Sequence, residues 1–214
     1  MSQIIIDPTD HGFPTERARI TRLPPHARDF GYIPDLRPCK AGDLVLSYSR
    51  STGLLDRQIE RTQQRLGFAS DDSRWTHAAI FLYSDFVVEA VPGRVRTRSF
   101  FEDVPGSVLR VRRRPDLCDE DRYKIALSAL RSLGARYSLA IALAAGWKAL
   151  FHRWSRVESV SSRRAIVCSR VYFDAHVEIT NQVFDDCNMT DLVTPAHLSA
   201  TKDLEDVPIG WLKV

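Results

Sequence analysis

Cys168, His77 and Glu89 are the residues of this chain whose types and spacing could do chemistry. A thiol attacks a carbonyl carbon well only as the thiolate, so a catalytic cysteine needs a histidine beside it, a helix N-terminus beneath it, or both. The histidine is then held in one tautomer by a third group. Cys168 lies where the apolar approach Ala165-Ile-Val167 meets a helical pattern, with Cys168, Val171, Tyr172, Ala175 and Ile179 keeping the spacing of one helical face. A helix starting at or just before Cys168 would set its sulfur near unpaired backbone N–H groups, which lower a thiol pKa and can hold an oxyanion. The same inward direction also suits a cysteine that packs as a small hydrophobe.

His77 opens the apolar run His-Ala-Ala-Ile-Phe-Leu-Tyr83, where a solvated histidine would be out of place. It reads either as the general base or as a satisfied strand-end histidine. Glu89 sits between Val88 and Ala90 in the next β-rich run. A carboxylate there is expensive to bury unless paired, so it is either a partner for His77 or a solvent-facing position. The two runs around Ser84-Asp85 make a hairpin, and register decides between these readings. Pairing Ala79 with Glu89 puts His77 and Glu89 on one face and implies the three-residue loop Tyr83-Ser84-Asp85; a two-residue loop pairs Ile80 with Glu89 and separates them.

The elements that must position these groups belong to a chain of 214 residues, 44% hydrophobic, which can bury one substantial core. A formal charge of +3 is too weak a bias to call for a nucleic-acid partner. Arg94, Arg96, Arg98, Arg110, Arg112, Arg113 and Arg114 nevertheless cluster in sequence, as a solvated face or as a contact for an anionic surface. Cys39, Cys118, Cys168 and Cys187 form no CxxC pair and no zinc-type spacing, so no metal is expected. The N-terminus shows no classical signal peptide, and the longest apolar run, 139–150, is too short for a transmembrane segment.

Residues 1–38 carry six prolines and read as an irregular Pro-rich arm, with one short strand at 4–6, ahead of a catalytic domain at 39–214. The patterns predict a strand at 44–48, a helix over 51–66 and the hairpin strands 76–83 and 86–91. Two further strands follow at 95–98 and 108–112. A helix opens on Asp119-Glu-Asp121 with the apolar face Tyr123, Ala126, Leu127, Leu130 and Leu133. Residues 137–154 read as a buried apolar helix or a cover facing lipid or substrate, and 155–164 as a polar loop. The Cys168 helix, a short helix with Pro195 in its first turn and a strand near 209–214 complete the chain. His176, two turns past Cys168, is expected at the surface, and His197 in a packing or capping role; Tyr48 and Trp75 flank the site strands, as core or as cleft lining.

Taken together, Gly42-Asp43-Leu-Val-Leu, Thr76-His77-Ala-Ala-Ile, Val88-Glu89-Ala, Val167-Cys168-Ser169-Arg-Val171 and Thr194-Pro195-Ala-His-Leu198 carry a resemblance. The chain resembles the circularly permuted papain-like hydrolases of the NlpC type, relatives of the YiiX-like proteins and of the lecithin-retinol acyltransferase group. The order His, Glu, Cys is that of the permuted branch. The chain departs from the family in Arg170-Val171, where an acidic or polar residue and Leu usually follow Cys-Ser. The resemblance implies an α+β fold, an antiparallel sheet of about five strands packed against helices, with Cys168 at a helix N-terminus facing His77. It implies acyl transfer through a thioester, with no cofactor. The substrates it points to are peptidoglycan peptides, cleaved by an amidase or endopeptidase, or lipid acyl chains. A non-catalytic binding module is the third expectation. As an antibacterial effector the protein would be cytoplasmic in its producer, reach a target-cell periplasm through a dedicated secretion system, and have an immunity or carrier protein as partner.

Overall fold

In the computed structural model the described residues are 3–20, 22–51, 53–135, 168–185, 187 and 193–214. The apolar segment 137–154, the loop 155–164 and the approach 165–167 discussed above lie outside them.

Alternating apolar residues that are hydrophobic on both faces make the centre of one antiparallel sheet. Strand β2 (Leu44–Ser49) lies between β3 (His77–Tyr83) and β6 (Ser107–Arg113). Strands β4 (Phe86–Val91) and β5 (Arg94–Ser99) extend the sheet beyond β3, and β7 (Glu205–Asp206) closes the other edge. Six strands replace the about five expected. The addition, Glu205–Asp206, has no hydrophobic pattern and joins through the pairs Arg112↔Asp206 and Arg113↔Glu205.

Leu44, Leu46, Ala78, Ile80, Val88 and Ala90 point to one face, covered by α4 (Asp119–Arg131) and α5 (Cys168–Thr180). Val45, Ala79, Phe81, Val87, Leu109 and Val111 point to the other, where Ile6, Leu23, Ala27, Ile33, Phe100 and Phe101 complete a second cluster. The N-terminal residues supply part of that cover. Ile6 bridges to Leu109, α1 (Pro25–Phe30) follows the paired prolines, and β1 (Tyr32–Pro34) pairs with β8 (Trp211–Lys213).

Helix α4 buries only part of the face expected: Ala126 is in the core and Leu130 packs against it. Ile125, Ala126 and Ala129 pack inward, while Tyr123, Leu127 and Leu133 are exposed. Small side chains on the buried face let the helix lie close to α5, whose Glu178 accepts from Ser128 Oγ.

The β3–β4 hairpin resolves the register. Ala79 pairs with Glu89, Ile80 with Val88 and Phe81 with Val87, yet Tyr83 pairs with Phe86. The turn is therefore the two-residue Ser84-Asp85, with Ser84 at φ 54, and an irregularity at Leu82 absorbs the extra residue. The tight turn and the face-sharing register coexist, so the three-residue loop expected for this register is replaced by a bulge.

Gly42-Asp43 has a structural task. Gly42, at φ +82, passes so close to α4 that a Cβ would fall 2.6 Å from the Arg122 carbonyl oxygen. Asp43 is buried and accepts from the Lys40 N–H at 2.7 Å and from Arg113 Nε and Nη2 at 2.8 and 2.6 Å. Gly42→Ala is expected to cost about 3 kcal/mol from left-handed strain plus the clash. A thermal melt checks this, and an unchanged midpoint would show that the contact can relax.

Apart from the exposed Arg94, the arginine cluster is engaged within the fold. Arg110 and Arg112 are buried, ion-paired to Asp206 and donating to carbonyl oxygens of the C-terminal segment: Arg110 to Ser199, Arg112 to Leu198, Ser199, Thr201 and Leu204. Arg96 and Arg98 turn to Glu89.

Candidate active site

Cys168 is the first described residue of α5, and its side chain is buried against the sheet. The β3–β4 ladder stops at Ala79↔Glu89. One residue beyond that end the Ala78 N–H donates to the Cys168 sulfur, and the Ser169 N–H of the helix's first turn does the same. The sulfur thus occupies the place where the two strands part, with backbone donors on two sides.

His77 meets the sulfur there. Its Nε2 lies 2.7 Å from Glu89 Oε2, and the ring also shares a hydrogen bond with Cys168, which leaves Nδ1 for the thiol. His77 keeps 25% of its side chain exposed, whereas Glu89 keeps 2%. Solvent can therefore reach the histidine but not the carboxylate. The other oxygen of Glu89 receives Arg98 Nε at 2.8 Å, Arg96 Nε at 3.0 Å and Arg96 Nη2 at 2.9 Å.

The electrostatics favour the shared proton on the imidazole. Burial opposes charge on both members of the pair, but each offers the other a hydrogen bond and an opposite charge. Those contacts hold the Cys168 thiol below its ordinary value despite burial, helped by the Ala78 and Ser169 N–H groups. They push His77 up to about 10 against the same burial, with Glu89 adding to the effect. Burial would raise the Glu89 pKa, yet His77 and Arg98 hold it well below the carboxylate range. Both shifts run in the direction that favours a thiolate–imidazolium pair beside the ionised Glu89.

The structure brings Cys168, His77 and Glu89 together and leaves the other flagged residues apart. His176 is fully buried, not at the surface; its Nε2 lies 3.2 Å from Arg114 Nη1 and its ring stacks on Phe184. His197 caps α6 (Pro195–Ala200), its Nδ1 accepting from the Thr194 N–H at 3.1 Å. Trp75 is fully buried, edge-on to the half-buried Tyr48. Ser169 Oγ donates to the Val193 carbonyl at 2.7 Å, which ties the start of α5 to the strip before α6. Arg96 and Arg98 are the site residues that sequence reasoning missed. Their alternate spacing was visible, but it read as a surface because their carboxylate partner sits on another strand.

A cavity of about 750 Å³ opens at the Tyr83 end of β3 and is lined by Leu36, Phe81, Tyr83 and Arg122, among others, but by none of Cys168, His77 and Glu89. Size alone does not make it the reactive centre, because the mutually shifted titratable groups lie at the opposite end of that strand.

No protein-family model matches this chain, and no curated protein does. Among solved structures it is similar to the metalloprotein yiiX of Escherichia coli O157:H7, at 18% identity over 78% of this chain and 96% of that chain, with a TM-score of 0.51. At that identity the likeness is one of fold, a YiiX-like α+β architecture. Among the described residues here, no three His, Cys, Asp or Glu side chains group as metal ligands. Cys168, His77 and Glu89 are already paired with one another and flanked by two arginines that would repel a cation.

Proposed function

We propose that this protein is a cysteine hydrolase acting through a thioester acyl-enzyme. The observation that carries the reading is the row Cys168, His77, Glu89, with one imidazole nitrogen on the thiol and the other 2.7 Å from a buried carboxylate. The Cys168 thiolate attacks the substrate carbonyl carbon, forming the C–S bond and a tetrahedral oxyanion that the Cys168 N–H helps to hold at the start of α5. The His77 imidazolium gives its proton to the leaving group as that bond breaks, leaving a thioester. Neutral His77 then takes a proton from water, whose oxygen attacks the thioester; the carboxyl product leaves and the thiolate–imidazolium pair is restored. Glu89 keeps the imidazole in the productive orientation throughout.

For substrate class, the NlpC-type resemblance of the sequence motifs favours the amide bonds of peptidoglycan peptides. The lipid-acyl alternative drew part of its support from arginine-rich strands facing a membrane, and of those arginines all but the exposed Arg94 are ion-paired within the fold. Among the described residues no helix is long and apolar enough to cross a membrane. The contact between His77 and Cys168 supports the catalytic reading over a non-catalytic module.

Purified protein incubated with peptidoglycan is expected to release fragments with new amino and carboxyl ends, identified by mass spectrometry. Identical fragments from wild type and Cys168→Ala would overturn the amidase reading. Fatty acid released from phospholipid vesicles, with peptidoglycan left intact, would move the same thioester chemistry to lipid.

A further inference from the structure

We infer that Arg98, fixed by Asp103, is a positioning residue that holds Glu89 ionised and aimed at His77. This deepens the cysteine-hydrolase reading and rests on it.

Glu89 uses its two oxygens for two purposes: Oε2 faces His77, and Oε1 faces the arginines. With Oε1 unmatched, a carboxylate buried to 2% exposure would have an uncompensated lone-pair edge, and it could turn away from the histidine or take up a proton. Two cations serve Oε1 and differ in kind. Arg96 sits directly across the β4–β5 ladder from Glu89 and is 39% exposed, so water screens it and can replace it. Arg98 is 7% exposed and held at every arm: Nε to Glu89 at 2.8 Å, Nη1 to the Ser99 carbonyl at 3.0 Å and Nη2 to Asp103 Oδ2 at 2.7 Å.

Asp103 is itself set by packing. It closes the 3-10 turn Phe100–Asp103, in which Phe100 and Phe101 are fully buried and Ser99 Oγ accepts from the Phe101 N–H at 3.2 Å. A rigid aromatic turn outside the site therefore fixes Asp103, which orients Arg98, which orients Glu89. Charges alternate along the row Asp103, Arg98, Glu89, His77, Cys168. Among the described residues the charged and titratable groups facing Glu89 are His77 from β3 and Arg96 and Arg98 from β5, with Cys168 reached through His77. Since Arg98 is among the groups holding Glu89 below the carboxylate range, its loss returns Glu89 toward ordinary carboxylate behaviour. Protonation of Glu89 then intrudes on the acid side of the thiolate's pH range.

The test reads Cys168 alkylation by iodoacetamide, resolved by peptide mass spectrometry over about pH 4 to 10, which needs no knowledge of substrate. Wild type is expected to react as a thiolate well into the acid range. Arg98→Gln moves the acid limb upward by about one pH unit, a roughly tenfold slower reaction at the wild-type half-point. Arg98→Lys recovers part of the shift, because one ammonium cannot meet Glu89, Ser99 and Asp103 together. Asp103→Asn gives an intermediate shift, and Arg96→Ala a smaller one than Arg98→Gln. A folded Arg98→Gln with the wild-type profile overturns the inference. If that variant does not fold, an unshifted Asp103→Asn overturns it. An ordinary thiol profile in wild type would instead overturn the cysteine-hydrolase reading itself, which separates the two failures.

Discussion

Cys168→Ala is expected to abolish turnover, with kcat falling on the order of 10⁴-fold or more, while the fold survives. The substitution removes the nucleophile, and the neighbouring hydroxyl of Ser169 is committed to the Val193 carbonyl. It also removes one of the groups that keep His77 protonated, so the imidazole falls back toward its ordinary value of 6.5 and is held up by Glu89 alone. Folding should tolerate this, because the cysteine is a small buried side chain whose loss leaves a cavity smaller than a methylene-rich one would. Cys168→Ser is the sharper comparison. A serine hydroxyl at the same place can meet His77 but does not ionise beside it, so the ion pair is lost and the rate falls nearly as far. The measurement is product formation at saturating substrate, alongside a melting curve. Turnover by a folded Cys168→Ala protein would remove Cys168 from the mechanism.

Glu89→Gln is expected to damage both activity and stability. Removing the carboxylate charge leaves Arg98 buried with Asp103 as its remaining ion partner, and leaves His77 without an anion on Nε2. Breaking a buried ionic contact from one side costs about 3 to 5 kcal/mol. For a chain of this size that is a fall of about 10 °C in melting midpoint. The pH dependence has a definite sign. Glu89 is held below its ordinary value, so its stabilisation is fully present above 4.5 and is lost only as pH falls through its lower folded-state value. His77 is the opposite case: its contribution is full below 6.5 and is lost as pH rises through about 10. The gap between wild-type and Glu89→Gln melts should therefore be wide at neutral pH and close in strong acid. Activity should fall on the order of 10³-fold, since an amide can hold the ring but cannot stabilise the imidazolium. Wild-type kcat together with a wild-type melt in this variant would sink the orienting role.

How much of this was legible in the sequence depends on how local each feature is. The strands 44–48, 86–91 and 95–98 and the helix beginning at Cys168 lie where period-two and 3.6-residue patterns placed them, within a residue or two. The candidate triad was legible too, because an imidazole and a carboxylate inside apolar strands each demand a partner. The buried face of α4 was legible only in part, through Ala126 and Leu130. Tyr123 and Leu127 match the helical spacing as well as Ile125 and Ala129 do, and only the close approach of α5 selects the smaller pair. His176 read as surface because two turns separate it from Cys168, whereas the stack on Phe184 that buries it comes from beyond the end of the same helix.

By itself, the sequence determined the residue types, their order along the chain and the faces that local periodicity assigns to each. Tertiary structure decided the parity of the β3–β4 register, through one irregular residue at Leu82 that lets a two-residue turn coexist with Ala79 opposite Glu89. It also decided that Arg96 and Arg98 serve a carboxylate and not the solvent. The physical reason is common to both. A side-chain period describes one segment, while a register shift or a buried ion pair is fixed by the sum of contacts between segments, and a single displaced residue in one strand changes which groups meet across the sheet.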